Sequence, residues 1–330
     1  MTPLPAGLIP VLLLVLAAEF VNGWTDAPNA IATVVSTRVL TPGQALVVAS
    51  VLNVLGVLSG QAVAATIGRG IVDAAVIDTV TIAAAMVAIV VWSTLAWTRG
   101  LPTSESHALV ASLAGAGLAT AGPRVLLWEG WQKVLLGLAF STFLGFGGGF
   151  VLMVAITWGF RRMPLGSVRR LFGRLQVLSA GFMAFSHGSN DGQKFMGVFT
   201  LALVLGGVLP EFRIPVWVVL VCALTMGIGT ALGGWRIVHT MGLRLTKLEP
   251  YQGFAAETAA ASAIELASRL GIPLSTTHTI NTAIMGVGAT RRLSAVRWGV
   301  GAEIVTAWVL TFPVCALLAA VVTWVLRAAL

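Results

Sequence analysis

The sequence predicts an all-α integral membrane protein, a polytopic bundle of roughly 10–12 helices. Three observations support this fold class: the composition, several long uncharged runs, and an internal duplication. Of the 330 residues, 57% are hydrophobic and only 10% are charged, and the mean hydropathy is +0.94. Soluble domains carry about a quarter charged residues, so this chain lacks the polar surface that a water-facing protein needs. We therefore expect most of its surface to face lipid.

Four long runs contain no charged side chain, and each exceeds the roughly 20 residues that a helix needs to cross the hydrocarbon core. The runs are 39–68, 134–160, 214–235 and 304–326. Backbone amides in lipid must be satisfied internally, so these runs are expected to be helices. The apolar start of the chain, 1–21, lacks a basic region and is predicted to be a first membrane helix rather than a cleaved signal. These features predict a multi-pass protein of the cell membrane, with the lipid bilayer as its surroundings.

The net charge of +8 indicates topology rather than nucleic-acid binding. Five arginines crowd one short segment that contains no acid, the pattern expected of a cytoplasmic loop. They are Arg161, Arg162, Arg169, Arg170 and Arg174. The two cysteines, Cys222 and Cys315, lie alone in apolar runs and are expected only to pack in the core. No metal centre and no cofactor is predicted.

An internal duplication divides the chain into two halves. The motif NGWTD at 22–26 reappears as HGSND at 187–191, and GLPTSESH at 100–107 reappears as GIPLSTTH at 271–278. Both separations are close to half the chain. Internal symmetry of this kind is typical of transporters built from repeats with broken helices. We predict a first repeat at 1–160, a basic cytoplasmic loop at 161–174 and a second repeat at 175–330, with re-entrant hydroxyl-rich hairpins. An inverted orientation is expected from this architecture class.

Asp26 and Asp191 are the first candidate site residues. A carboxylate deep in a membrane segment costs about 2.5–3.5 kcal/mol, so it needs a functional or structural reason. Helix breakers flank both: Gly23 and Pro28, and Gly188 and Gly192. We predict that both helices unwind there and that the carboxylates line a cavity. The alternative is a solvated aspartate capping a helix at the membrane surface, but apolar sequence on both sides favours an ion or proton site.

Two hydroxyl-rich turns form the second candidate site. A proline followed by serines or threonines presents a helix N-terminus, which carries partial positive charge and binds anions. The predicted substrate-binding hydroxyls are Ser104, Ser106, Ser275, Thr276 and Thr277. Two such ends meeting within the bilayer would hold one small tetrahedral oxyanion. Ordinary N-capping is the alternative, and the duplication favours the substrate site.

The two motifs around the aspartates differ in one informative position. Lys194 follows Asp191 by three residues, as Asn29 follows Asp26. An amide can ligate a cation, whereas an ammonium replaces one. The sequence therefore predicts a fixed charge pair, Asp191–Lys194, in the second half and an ion-binding pair, Asp26–Asn29, in the first. The alternative is that Lys194 extends toward a membrane interface.

Several further ionisable residues lie in apolar surroundings. Glu257 is predicted to bind a proton or cation near the substrate, the alternative being an ion pair with a basic neighbour. His107 and His278 either relay protons or hold the hydroxyl-rich turns by bonding a carbonyl, and the sequence does not separate the two roles. Glu105 beside an anion site would be repulsive unless it points away or is protonated.

Electrostatics links these groups into one mechanism. An oxyanion and several carboxylates cannot share a low-dielectric cavity without compensating positive charge. Cations that enter with the anion would supply that charge. The sequence therefore predicts symport, with a co-transported proton or sodium ion and no bound cofactor.

Three segments closely resemble the inorganic phosphate transporter family: 22–30, 186–194 and 274–278. The NDGQK form at 190–194 is similar to the bacterial low-affinity branch of that family. The resemblance implies inverted repeats, phosphate at their interface, and symport with sodium or protons. It also implies cation ligands at Asp26, Asn29, Asn190 and Asp191, and phosphate contacts from the hydroxyl-rich turns, to which we add Gln193.

Two positions depart from the family pattern. Animal members carry glutamate where Asn53 stands, and other members tend to have a small hydroxyl residue at the position of Glu105.

The favoured function is import of inorganic phosphate with a cation, with protons preferred over sodium because of Lys194. The family also suggests metal–phosphate complexes as the transported substrate. The alternatives are a sulfate permease and an intramembrane enzyme using Asp26 and Asp191. Because every polar motif is duplicated, a carrier is favoured over an enzyme. A homo-oligomer is compatible with the sequence.

Overall fold

The computed structural model describes residues 5–329, and these form an almost entirely helical bundle. Within this range no β-strand occurs, and a single antiparallel bridge joins Val72 to Leu126. The helices are α1 (Leu8–Ser36), α2 (Pro42–Val57), α3 (Ala62–Gly70), α4 (Thr79–Thr98), α5 (Glu105–Ala121), α6 (Trp128–Gly159), α7 (Leu165–His187), α8 (Gln193–Leu205), α9 (Val216–Leu232), α10 (Trp235–His239), α11 (Pro250–Arg269), α12 (Thr276–Ala289) and α13 (Trp298–Ala329). The all-α fold class is confirmed.

Length and apolarity identify the helices that can cross a membrane. Among the described residues, α1, α4, α6 and α13 qualify singly, and two bent pairs raise the total to six. The chain bends by 68° between α2 and α3, and by 61° between α9 and the segment that begins with α10. Large apolar side chains such as Phe143 and Leu317 lie exposed on the outer surface, as expected where lipid replaces water. These two bent pairs lie elsewhere than the broken helices predicted from the sequence, which were placed at Asp26 and Asp191.

The order of elements repeats between the two halves. α4 and α11 both have 20 residues, and α6 and α13 both have 32. The turns before α5 and α12 begin at Gly100 and Gly271, with φ of 65° and 67°, which glycine adopts without steric cost. The structure thus repeats the duplication seen in the motifs. The inverted orientation stays a prediction, and residues 1–4 and 330 of the predicted repeats lie outside the described part of the chain.

Helices from opposite halves pack against each other through glycines. α5 lies on α13, and a Cβ at Gly115 would sit only 2.0 Å from the carbonyl oxygen of Ala316. α12 lies on α6, and a Cβ at Gly286 would sit 2.1 Å from the carbonyl oxygen of Phe146. Small residues let backbones approach closely where no water drives helices together. The packing of α5 on α13 and of α12 on α6 holds the two hydroxyl-rich turns close together between the halves.

The helix around Asp26 does not unwind, so that prediction is wrong. α1 continues for 29 residues with Pro28 inside it. A proline removes a single backbone donor, and neighbouring helices compensate for that loss in a membrane. Here the backbone of α9 packs so closely that a Cβ at Gly23 would lie 2.3 Å from the Met226 carbonyl oxygen. Around Asp191 the prediction holds only in a milder form, because Gly188–Gly192 form a π-helical turn that widens the helix without ending it.

The segment 161–174, predicted to be a loop, is largely helical. α7 begins at Leu165 and includes the last three of its five arginines. Leucine and arginine have high helix propensity, and Pro164 stands just before the first turn, where its fixed φ suits a helix start. Arg169 forms an exposed ion pair with Glu249 at 3.0 Å. The cytoplasmic location of this segment stays a prediction.

Candidate functional site

Asp26 and Asp191 meet in the interior of the bundle. Asp26 comes from α1 and Asp191 from the π-helical turn, and their side chains are 4% and 1% exposed. With His187 they form a group whose ligand atoms all lie within 4.8 Å of one another. Such an arrangement of two carboxylates and an imidazole can hold a cation or share a proton. The surface-capping alternative is therefore wrong for both aspartates.

The N-terminus of α12 bridges the two carboxylates. Thr277 Oγ1 donates to Asp26 Oδ2 at 3.3 Å, and Thr276 Oγ1 donates to Asp191 Oδ2 at 2.7 Å. Asn29 Nδ2 in turn donates to the hydroxyls of Thr277 and Thr276 at 3.0 and 3.3 Å. The structure thus joins the two aspartates, Asn29 and two of the predicted substrate hydroxyls in one hydrogen-bonded network.

Lys194 is buried at the same place and does not extend to an interface. Its ammonium group contacts Asp191 Oδ1 and donates to Ser106 Oγ at 2.5 Å and to the Leu274 carbonyl at 2.9 Å. These three oxygens surround the ammonium as they would surround a bound cation. The predicted Asp191–Lys194 pair is present, and Ser106, a predicted substrate contact, is one of its partners.

The two hydroxyl-rich turns touch each other. Ser104 Oγ and Ser275 Oγ lie 2.9 Å apart. Each serine also caps its helix, accepting from the backbone N–H of His107 at 3.3 Å and of His278 at 3.2 Å. The capping alternative is therefore correct as a local description, and the pairing of the two caps places both helix N-termini at one point.

His187 and Asn53 are partners that the sequence reasoning did not assign. His187 Nε2 lies 3.3 Å from Asp191 Oδ2, and its Nδ1 lies 3.1 Å from Asn53 Oδ1. Asn53 Nδ2 donates to Thr230 Oγ1 at 3.0 Å. Asn53 therefore orients the imidazole toward Asp191. The position of His187 in the duplicated motif was the available signal for this role.

Glu105 points away from the contact between the serines. Thr25 Oγ1 donates to its Oε1 at 3.0 Å, and Ser93 Oγ donates to its Oε2 at 2.8 Å. The side chain is 2% exposed and is directed toward α1 and α4. Glu105 therefore packs among hydroxyl groups beside the site. This is the arrangement that the sequence required of an acid at this position.

Glu257 forms a separate polar cluster. Thr33 Oγ1 donates to its Oε1 at 2.5 Å, Gln176 Nε2 donates to the same oxygen at 3.1 Å, and Ser179 Oγ contacts Oε2. Its partners in the described chain are thus two hydroxyls and an amide. The alternative of an ion pair with a basic neighbour is wrong, and a proton or cation role stays a prediction.

Asn190 and Gln193, in the motif around Asp191, form hydrogen bonds to backbone groups of neighbouring segments. Asn190 Nδ2 donates to Ser268 Oγ at 2.9 Å, and its Oδ1 accepts from the backbone N–H of Leu274 at 3.2 Å. Gln193 Oε1 accepts from the backbone N–H of Val63 at 3.0 Å. Asn190 therefore positions the turn before α12, and Gln193 satisfies the first turn of α3 rather than contacting the hydroxyl-rich turns.

His107 and His278 pack against each other edge to face, with ring centroids 4.4 Å apart. His278 stacks on Trp308 at 3.6 Å, and His107 lies against Phe312 at 4.6 Å. Neither ring nitrogen of His278 has a hydrogen-bond partner in the described structure. His278 thus holds its turn by aromatic packing, not by bonding a carbonyl.

Buried carboxylates, an ammonium group and hydroxyls, drawn from both halves of an apolar helical bundle, are the arrangement expected of a secondary membrane transporter. The model of the phosphate transporter family matches residues 22–319. The chain belongs to this family, and the family resemblance noted in the sequence is confirmed.

Similar proteins span the whole chain. It is 46% identical to the "Probable low-affinity inorganic phosphate transporter" of Rhizobium meliloti (strain 1021), over 96% of this chain and 95% of that protein. It is 37% identical to the protein of the same description from Bacillus subtilis (strain 168), over 97% of both. A solved structure titled "The sodium-dependent phosphate transporter" has a TM-score of 0.87 at 27% identity, covering 98% of this chain and 99% of that one. The protein is thus a multi-pass membrane transporter and not an enzyme.

Proposed function

We propose that this protein imports inorganic phosphate by symport with a cation, and that the cation is a proton bound around Asp26. The observation that carries the proposal is the bridge from α12 to both aspartates. Thr276 and Thr277 present their hydroxyl protons to Asp191 and Asp26. Those same hydroxyls are the donors that a phosphate oxygen would need, so carboxylate and phosphate compete for them.

Cation binding resolves this competition. A proton on Asp26 removes the negative charge that attracts the Thr277 hydroxyl, which is then free to donate to phosphate. It also removes the repulsion between carboxylate and phosphate, which is large in a low-dielectric site. Phosphate would bind between Ser104 and Ser275, separating hydroxyls that now lie 2.9 Å apart. Each ligand therefore favours the other, which is the condition for coupling.

The neighbours of Asp26 favour a proton over sodium. Lys194 already supplies a positive charge to Asp191 and takes up three oxygens around it. The remaining group around Asp26 includes the imidazole of His187, and imidazole suits transition metals better than hard cations. A proton needs only the Asp26 carboxylate. Sodium is the alternative, since the similar solved structure is titled a sodium-dependent transporter.

The test is uptake of radiolabelled phosphate by the purified full-length chain in proteoliposomes. A pH gradient and a sodium gradient are imposed separately, and labelled sulfate is tested in parallel. We expect the pH gradient to drive phosphate accumulation and Asp26→Asn to abolish it, while exchange of phosphate without a gradient persists. The control is Glu265→Gln, which removes an exposed ion pair with Arg269. Accumulation driven by sodium alone, or by a pH gradient in the Asp26→Asn variant, would contradict the proton assignment.

A further inference from the structure

Two cavities lined with basic side chains adjoin the hydroxyl-rich turns. The first basic cavity, of about 580 Å³, is lined by Arg69, Lys133 and Arg269, with Glu129 as its acid, and it reaches Gly271 at the start of the second turn. Three cationic groups thus face one carboxylate beside the segment that leads to Ser275.

The second basic cavity lies beside the other hydroxyl-rich turn, and like the first it is lined by residues of both halves. It measures about 350 Å³ and is lined by Arg99, Arg236 and Arg244, and it reaches Gly100 at the start of the first turn. No acid is among its lining residues in the described chain, but Arg244 forms an ion pair with Glu303 at 3.6 Å, which leaves Arg99 and Arg236 as its charges without an acidic partner. The fold repeat therefore produces two positively charged cavities, each next to one hydroxyl-rich turn.

A threonine fastens each turn at the edge of its cavity. Thr66 Oγ1 donates to the Gly271 carbonyl at 2.7 Å, and Thr240 Oγ1 donates to the Gly100 carbonyl at 2.8 Å. Both glycines have the positive φ that allows the chain to turn from the preceding helix into the hairpin. The cavities are therefore structurally continuous with the turns that carry Ser104 and Ser275.

Helix dipoles and topology do not explain all of these charges. Arg69 and Arg269 stand in the last turns of α3 and α11, where cations are favoured. Arg269 also pairs with Glu265 at 2.9 Å. Lys133, however, lies in the second turn of α6, far from the C-terminus of that helix, so the dipole of α6 does not favour its charge. Among the described residues no carboxylate lies within ion-pair distance of Lys133 or of Arg99.

We propose that the two basic cavities are capture sites for phosphate, one serving each hydroxyl-rich turn. This inference rests on the proposed function and adds binding sites outside the central cluster. The central cluster holds three acids, Asp26, Asp191 and Glu105, against the one ammonium of Lys194, so with its acids ionised it repels an approaching anion. A cationic cavity of low-dielectric walls raises the local anion concentration by about 10–10³-fold. The captured phosphate then moves from the cavity past the turn held by Thr66 or Thr240 to reach Ser104 and Ser275.

The experiment measures phosphate exchange in proteoliposomes as a function of phosphate concentration, at low and high ionic strength. At a separation near 6 Å in water, loss of one charge facing a singly charged phosphate is expected to raise the half-saturation concentration about threefold. Lys133→Gln and Arg99→Gln should both show this rise at low salt, with an unchanged maximal rate, and the rise should shrink in high salt. Lys133→Arg should behave as the wild type. Arg162→Gln, an exposed charge that lines neither cavity, is the matched control.

Lipid headgroups carry the same phosphate chemistry, so the exchange is repeated in liposomes with and without anionic lipid. A rise for Lys133→Gln in zwitterionic liposomes supports capture of free phosphate. A rise that appears only with anionic lipid assigns the cavities to headgroups and overturns the proposal, as does an unchanged half-saturation concentration at low salt. The proposed function fails by a different result, namely no gradient-driven accumulation by the wild type.

Discussion

The buried charge pair of Asp191 and Lys194 gives the sharpest prediction. Lys194→Asn removes an ammonium that contacts three oxygens and recreates in the second half the arrangement of Asp26 and Asn29. Breaking one partner of a buried pair costs about 3–5 kcal/mol, because the remaining charge is left uncompensated. We expect the variant to lose that much stability at neutral to alkaline pH without sodium. A bound cation or proton at Asp191 should restore most of it.

The assay is thermal unfolding of the purified full chain at several pH values, with and without sodium. A ligand at 100 times its dissociation constant contributes about 2.7 kcal/mol, so recovery is measurable. The stability of Lys194→Asn should rise as the pH falls, because a proton then neutralises Asp191. In proteoliposomes the same variant should need one additional cation for each phosphate transported.

Two controls separate the charge from the packing. Asp191→Asn combined with Lys194→Met removes both charges and should be close to the wild type in stability, because replacing a whole buried pair is often neutral. Arg269→Gln breaks an exposed pair and should cost less than about 1 kcal/mol. If Lys194→Asn keeps both the wild-type stability profile and the wild-type cation dependence, the reasoning is refuted.

Three further predictions concern the same interior. Ser275→Ala removes a helix cap and should cost about 1 kcal/mol of stability and raise the half-saturation concentration for phosphate in exchange assays; an unaltered concentration would remove Ser275 from the phosphate site. Gly188→Ala places a Cβ 2.1 Å from the Asn53 carbonyl oxygen and should lower the midpoint of thermal unfolding, with a cost of about 1–3 kcal/mol, whereas Gly159→Ala, with no atom within 4 Å, should not. Glu257→Gln keeps the shape of its hydrogen-bonded cluster, so we expect normal folding by gel filtration and a changed pH profile of transport; an unchanged profile would leave Glu257 with a structural role only.

The sequence predicted the site best where an ionisable residue interrupts an apolar segment. Asp26 and Asp191 were identified because burial of a charge is costly, and Lys194 because it replaces Asn29 in the repeated motif. The structure brings all three together. The duplication of whole motifs, including their glycines, also predicted that the turns before α5 and α12 are equivalent. Motifs that repeat at long separation in the sequence therefore predicted most of the residues of the candidate site.

The sequence was less informative about local geometry and pairing. The motif around Asp26 contains Gly23 and Pro28, yet α1 stays continuous because close packing by α9 supports it. That support comes from residues some 200 positions away and leaves no local signal. The partners of Glu257 could not be found either, since Thr33, Gln176 and Ser179 lie on α1 and α7, far from Glu257 in the sequence. Pairings between distant helices depend on tertiary contacts that a single sequence does not display.

The hydrogen bond between Ser104 and Ser275 has a consequence for the conformational return of the empty carrier. After releasing its substrate, a carrier must return to its starting conformation with an empty binding site. Buried hydroxyl donors without an acceptor would raise the free energy of that step. One of the two hydroxyls donates to the other, so the empty pocket keeps a hydrogen bond that lowers this penalty. Phosphate bound between the two serines, as proposed above, would replace this bond with bonds to its own oxygens, and the serines would pair again once it leaves.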